Sequence, residues 1–353
     1  VPTFDRIADL KLGVDGYSLI PLVGELSPEL TRHCTVVQLQ GGGLTGEGED
    51  VVYEASDQAA FQQAGPIHDL AGSWTLAGFC EHVESLELFA QPPAWEVYRS
   101  YRVWAFESAA LDLALRQAGL TLHRAVDRDP APMRYVASTR LGEPPLIEPV
   151  TKRLSLDPTL RFKLDATSSW TPELIDALVA TASVDSIDFK GLYPGNNVVH
   201  QPADPVLYQR IATAFPDAWL EDPDLSLPEA AAALASARGR ITWDASIHSV
   251  DDIQALPFKP RMVNIKPSRL GTLAKLMETY DHCEHHGIGA YGGGQSELGV
   301  GRGQAQYLAA LFHPDTPNDL APSAYNLADP PAGLPSSPLT ADFSEPGFRW
   351  PGD

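Results

Sequence analysis

Two carboxylates and a lysine recur at a regular interval in the second half of this 353-residue chain. Glu221 ends the run Trp219-Leu220, Asp244 follows Ile241-Thr242-Trp243, and Lys266 follows Val263-Asn264-Ile265. The intervals, 23 residues from Glu221 to Asp244 and 22 from Asp244 to Lys266, each fit one short βα unit that returns to the next parallel strand. Carboxylates on adjacent strand ends are hard oxygen ligands of the kind Mg²⁺ prefers, and a lysine kept partly neutral by burial can accept a proton. Such a set suits removal of a hydrogen next to a carboxylate, which leaves only when the developing enediolate charge is offset. The competing reading is a salt-bridge network at a barrel rim; the common register of the three residues argues for chemistry.

The elements that must position these residues are legible as a series. From Met133 onward, the apolar runs RYVAS, LRFKLD, SIDFKG, AWLEDP, RITWDA, MVNIKP and IGAYGG alternate with helical segments, the pattern of a parallel βα repeat. In a (β/α) barrel the C-terminal strand ends carry the active site, and each run ends at a charged, polar or small residue. Before the series, Thr35 to Gln40 is a β-branched run ended by Gly41, Gly42 and Gly43, which predicts strand, turn, strand. Glu96 to Gln117 has helical periodicity without a breaker and ends at Gly119. The expected architecture is α/β: an N-terminal α+β capping domain over 1–128, a TIM-like, modified (β/α) barrel over 129–314, and an extended Pro-, Ser- and Asp-rich segment over 315–353 packing back on the capping domain.

Composition narrows the function classes. With 46 acidic against 25 basic residues the net charge is −21, which gives no reason to bind nucleic acid or an anionic membrane surface. No window approaches the ~20 apolar residues of a membrane span. Cys34, Cys80 and Cys283 are widely spaced and form no CxxC pair, so neither a disulfide framework nor a structural zinc site is expected. The opening VPTFDRIADLKLG lacks the features of a secretory signal, and a reducing cytoplasm fits best. The partner expected is a small carboxylate substrate, and a homo-oligomer is compatible with the composition.

The sequence resembles the enolase superfamily of the mandelate racemase and muconate-lactonizing type, nearest to o-succinylbenzoate synthases and N-succinylamino acid racemases. The stretch from His33 to Asp50 is similar to that family's capping hairpin, and Phe106 to Arg124 to the helix leading into its barrel. WLEDP, ITWDAS and NIKPSRLG resemble the strands that supply two metal carboxylates and an acid/base lysine. The resemblance therefore implies Glu221 and Asp244 as Mg²⁺ ligands and Lys266 as catalytic. Tyr291 to Gln304 resembles the late strand-to-helix segment that meets substrate, which implies Glu297, Ser296 and Gly294 as contacts.

Two earlier strands depart from the family pattern, in which a Lys-x-Lys pair precedes a metal-binding Asp. Here the strand ends read Lys163-Leu164-Asp165 and Asp188-Phe189-Lys190, as though a lysine and an aspartate had been exchanged. Period two places Lys163 with Asp165, and Asp188 with Lys190, on one face of their strands. We expect Asp165 as the third metal ligand, with Lys190 and Lys163 joining Lys266 as catalytic lysines; the rival third ligand is Asp188.

The glycine-rich stretch Gly292–Gly303 precedes a helix, so its amides are suited to cradling an anion. His282, His285 and His286 read as a solvated helix face, and His248 as a loop neighbour of Asp244. The function these features point to is metal-assisted α-proton abstraction by a lyase or isomerase. Two facing lysines favour racemisation or epimerisation, and one competent lysine favours β-elimination such as dehydration. The alternatives are a non-catalytic or metal-free barrel with a degraded site, or a Schiff-base enzyme using one of the three lysines.

Overall fold

A computed structural model describes residues 1–27, 30–193 and 199–351. The N-terminal part contains β1 (Lys11–Val14), β2 (Gly16–Ser27), β3 (Leu30–Gly41), β4 (Leu44–Asp50), α1 (Ala55–Ala64), β5 (Gly72–Thr75), α2 (Leu76–Glu84) and α3 (Val97–Ala118). β2, β3 and β4 form an antiparallel meander, and β1 pairs with β5. Gly42 and Gly43 turn β3 into β4 with φ of 59° and 76°, the left-handed region that glycine enters without strain. α3 lies against β4 so closely that a Cβ at position 46 would stand 2.3 Å from the Ala109 carbonyl, and one at 48 would stand 2.1 Å from that of Ala105. Only glycine fits either place. α3 has no internal Gly or Pro, is buried continuously from Trp104 to Leu115, and closes on Gly119 in the left-handed conformation.

After α4 (Leu122–Val126) the chain alternates as a parallel series: β6 (Ala137–Thr139), α5 (Glu148–Leu156), β7 (Phe162–Asp165), α6 (Pro172–Ala180), β8 (Val184–Asp188), α7 (Pro205–Ala214), β9 (Trp219–Glu221), α8 (Pro228–Ala233), β10 (Ile241–Thr242), α9 (Val250–Ala255), β11 (Met262–Ile265), α10 (Pro267–Leu270), α11 (Leu273–His286), β12 (Gly289–Gly292) and α12 (Val300–Phe312). The helices start where their sequences say they should. Thr171, Asp204, Ser249 and Thr272 cap α6, α7, α9 and α11 by accepting a backbone N–H, and Pro172 and Pro205 stand at first helical positions where no N–H is needed.

β6 to β10 form one parallel sheet in sequence order, and β11 pairs with β12. The Asn264 N–H donates to the Trp243 carbonyl (2.8 Å), which joins the two sets. Beyond α12, Asn318 bridges to Tyr135 and Asp319 to Gly293, both parallel. Asn318 and Asp319 thus fill an eighth wall position between β12 and β6, and the barrel closes. The wall thus draws on two residues beyond the 129–314 expected for the barrel; a stretch so short, next to Pro317, carries no periodic signal of its own.

The C-terminal segment crosses back to the N-terminal part. Phe348 N–H and the Arg349 guanidinium both donate to the buried Asp112 of α3 at 2.8 Å, and Arg349 also pairs with Glu47 of β4 at 3.2 Å. Two buried carboxylates tie the capping region to the barrel helices. Glu49 accepts the N–H groups of Leu298 (2.7 Å), Gly299 (3.0 Å) and Gly301 (2.9 Å) at the start of α12, and Glu107 accepts that of Leu273 (2.6 Å) at the start of α11. Among the described residues no helix is long and apolar enough to cross a membrane.

Candidate active site

Strand register sets the site's geometry. Asp165 aligns with Asp188, Asp188 with Glu221, and Glu221 with Thr242, so the ends of β7, β8, β9 and β10 form one row. Asp244 follows two residues after Thr242, and Lys266 directly follows β11. Asp188, Glu221, Asp222 and Asp244 have no exposed surface, and Lys163 is 2% exposed. Buried charge on this scale persists only when paired.

The pairing is dense. Lys163 Nζ holds Glu221 Oε1, lies 3.2 Å from Asp188 Oδ2 and 3.5 Å from Asp319 Oδ2. Lys190 Nζ holds Asp188 and lies 3.5 Å from Asp165 Oδ1. Lys266 Nζ donates to Asp244 Oδ2 at 2.7 Å; Arg269 takes Asp244 Oδ1, and the Tyr193 phenol reaches Oδ2 at 3.1 Å. Asp222 braces the next strand end by accepting the N–H groups of Asp244 (2.8 Å) and Ala245 (2.9 Å). The Tyr291 phenol donates to Glu221 Oε2.

Among the described residues, three of the five non-glycine residues with left-handed backbone belong here: Lys190 (φ 51°), Asp222 (φ 48°) and Ser296 (φ 55°). Each costs about 1 kcal/mol or more, and such strain concentrates where side chains must be aimed.

The lysines differ in proton affinity. Burial works against charge on Lys163, yet Glu221 and Asp188 outweigh it and hold the ammonium well above its ordinary range. Burial likewise opposes Lys190, which Asp165 and Asp188 hold above its ordinary value. Burial pushes Lys266 down; Asp244 opposes this, but Arg269 and Lys163 add to it. Burial and the neighbouring Asp244 and Asp188 raise the Asp222 carboxyl to about 7.

The structure brings together Lys163, Lys190, Lys266, Glu221 and Asp244, and sets Asp165 at the edge of the group. Its Oδ2 accepts from exposed Arg140 at 3.1 Å and its Oδ1 faces Lys190, so it stands at the barrel mouth beside the ammonium with which the sequence exchanged it. Carboxylate oxygens of Asp188, Glu221 and Asp222 lie within 4.8 Å of one another, so among the described residues these three are grouped closely enough to hold a metal ion. All are hard oxygen donors. Burial raises the Glu221 and Asp222 carboxyls, the latter to about 7, so a cation bound between them would take the place of protons. A divalent ion fits these residues.

The late segment reaches the cap–barrel junction with its groups engaged. Glu297 accepts the Gln295 N–H at 2.6 Å and pairs with Arg302 at 3.1 Å; the Ser296 carbonyl accepts from buried Arg32; Gly294 N–H donates to Asp319. The anion cradled by the glycine-rich amides is the chain's own Glu49. His285 and His286 are exposed on α11. Sequence reasoning missed Asp222, Arg269, Tyr193, Tyr291 and Asp319. Asp222 and Arg269 carried a signal, lying inside WLEDP and NIKPSRLG, and Tyr291 opened the late segment without being singled out in it, whereas Tyr193 and Asp319 lay in unremarkable loop text.

Comparison with known proteins places this geometry. A dipeptide epimerase from Methylococcus capsulatus, complexed with Mg ion, superposes with a TM-score of 0.70 at 17% identity, over 96% of this chain and 99% of that one. Muconate cycloisomerase from Pseudomonas fluorescens superposes with a TM-score of 0.64 at 16% identity, over 97% and 95% of the two chains. Among curated proteins, o-succinylbenzoate synthase of Bacillus subtilis (strain 168) is 37% identical over 86 residues, which span 24% of this chain and 23% of that relative. Two family models match, each described as a domain of unknown function (DUF8230): the N-terminal domain over residues 5–125 and the C-terminal domain over residues 129–327. The chain therefore belongs to the DUF8230 family and carries the fold of the enolase superfamily.

Proposed function

We propose that this protein is an enzyme that removes the proton on the carbon next to a substrate carboxylate, with a divalent ion as Mg²⁺, and returns a proton to the same carbon as a racemase or epimerase. The observation that carries this reading is one row of buried carboxylates with lysines on different walls: Lys190 after β8 and Lys266 after β11. Asp188 and Glu221 would hold the ion; a third ligand would come from the adjoining strand ends, either Asp222, which is already near, or Asp244 through Oδ2 once Lys266 and Tyr193 release it, Oδ1 staying with Arg269. When bound, the ion supplies positive charge to the substrate carboxylate, so that the adjacent hydrogen becomes removable near neutral pH.

The protein's residues divide the remaining work. Lys266 is the base, because burial and the Arg269 and Lys163 charges favour its neutral form. Lys190, kept as an ammonium by Asp165 and Asp188, holds a proton at Nζ for return from its own side. Lys163, 2% exposed and locked between Glu221 and Asp188, is a fixed positive charge beneath the site. A second reading is β-elimination of the o-succinylbenzoate synthase kind, favoured by the 37% identity to that enzyme over 86 residues; it needs only Lys266.

Incubation with a panel of carboxylates and N-acylamino acids in D₂O with Mg²⁺ separates the two. Deuterium at the α-carbon without net elimination is expected. Dehydration without exchange would favour the second reading, and a protein that binds Mg²⁺ and every candidate yet exchanges nothing would refute both.

A further inference from the structure

Tyr291 directly precedes the glycine run at the end of β12, and its side chain is 1% exposed. In the ring of eight wall positions β12 is seventh and β9 is fourth, so the phenol reaches across the lumen to donate to Glu221 Oε2. Lys163, from the second position, reaches across to the other oxygen, Oε1. Glu221 is thereby pinned from two sides, and its carboxylate plane is fixed. Tyr291 aligns with Asn264 of β11, one layer beneath Lys266, so the phenol comes from below and leaves the mouth of the barrel open.

The two donors differ in kind. Lys163 brings charge, which competes with a bound cation for Glu221. The phenol brings none. It fixes the direction of Oε2 and occupies one of its lone pairs, which leaves the other to face the neighbouring carboxylates. Outer partners of this sort orient metal ligands, and their loss typically weakens metal binding 10–100-fold.

We propose that Tyr291 is a positioning residue that aims Glu221 as a ligand for the divalent ion; this rests on the reading of Asp188 and Glu221 as ligands. The test is titration of the purified full-length protein, without substrate, with Mn²⁺ and Mg²⁺ by calorimetry and by the electron paramagnetic resonance of free Mn²⁺. Tyr291→Phe keeps the ring and removes the donor. Tyr135→Phe removes a phenol of equal burial that donates to the Pro335 carbonyl, outside the site.

The expected result is 10–100-fold weaker Mn²⁺ binding by Tyr291→Phe, unchanged binding by Tyr135→Phe, and melting temperatures in EDTA that move alike for both. Equal affinity of Tyr291→Phe and the parent protein overturns the assignment. If neither Tyr291→Phe nor Tyr291→Met folds in EDTA, the residue is a stability element and the assignment also falls. A parent protein that takes up no divalent ion refutes the metal reading itself, an outcome distinct from a parent that binds and a variant that binds equally well.

Discussion

Replacing Glu107 by Gln should abolish a pH dependence of stability that is built into the cap–barrel junction. Glu107 lies on α3 with no exposed surface; its Oε2 accepts the Leu273 N–H at 2.6 Å, and its Oε1 has no hydrogen-bond partner. Burial is the main cause that lifts its carboxyl from 4.5 to about 8; the Leu273 N–H opposes this, Glu84 adds to it, and the Cys80 thiol and Lys275 beside it oppose it. The folded protein therefore holds a proton that the unfolded chain releases between pH 4.5 and about 8. The stabilisation is complete below pH 4.5 and is lost as pH rises through 8. Across that window the loss is about 1.4 kcal/mol per pH unit, with a ceiling of about 5 kcal/mol. Against a typical total of roughly 5–15 kcal/mol this is a large fraction. Glutamine keeps an acceptor for Leu273 and cannot ionise. Urea unfolding of both proteins at pH 5, 6.5 and 8 should show the parent losing up to about 4 kcal/mol relative to Glu107→Gln between the extremes. A difference constant within about 0.5 kcal/mol would show that the carboxyl titrates alike in both states and would refute the reasoning.

Three other outcomes are expected. For a racemase, Lys266→Ala should stop α-deuterium exchange from one enantiomer and Lys190→Met from the other, each by 10²-fold or more, read by NMR on resolved substrates; loss of both in either variant would count against two-sided transfer. Asp188→Ala should weaken Mn²⁺ binding 100-fold or more while Asp165→Ala changes it by less than about 10-fold, measured by calorimetry, with the reverse order restoring Asp165 as a ligand. Gly48→Ala places a methyl 2.1 Å from the Ala105 carbonyl and 2.2 Å from Ser108 Oγ, and should cost about 3 kcal/mol or prevent folding, as judged by urea unfolding.

The barrel was legible because each strand announces its own end. WLEDP, ITWDA and NIKP are short apolar runs stopped by a charged residue, and the structure sets those residues on consecutive walls. Spacing could not separate Asp165 from Asp188. They stand at the same height on neighbouring strands, and only the fold shows that Asp165 is partly exposed beside Arg140 and Lys190 while Asp188 is buried between Lys163 and Lys190. Tyr291 looked like one more apolar strand residue, because nothing along the chain indicates that its hydroxyl meets Glu221, 70 residues away. Glu49 was equally silent: the glycine-rich amides pointed to an anion but not to its source in β4.

The closure of the wall by Asn318 and Asp319 bears on how the chain is made. β12 ends at Gly292, so roughly 27 further residues must leave the ribosome before the gap beside β6 is filled, about 1–5 s at ordinary rates of synthesis. Through that interval the nascent sheet has two open edges, and β6, with one neighbour, offers unpaired backbone to any other chain nearby. The late and very short strand thus delays closure of the barrel until its other seven walls have been made, and substitutions around Asn318 should lower the yield of soluble protein during rapid expression even where the finished fold tolerates them.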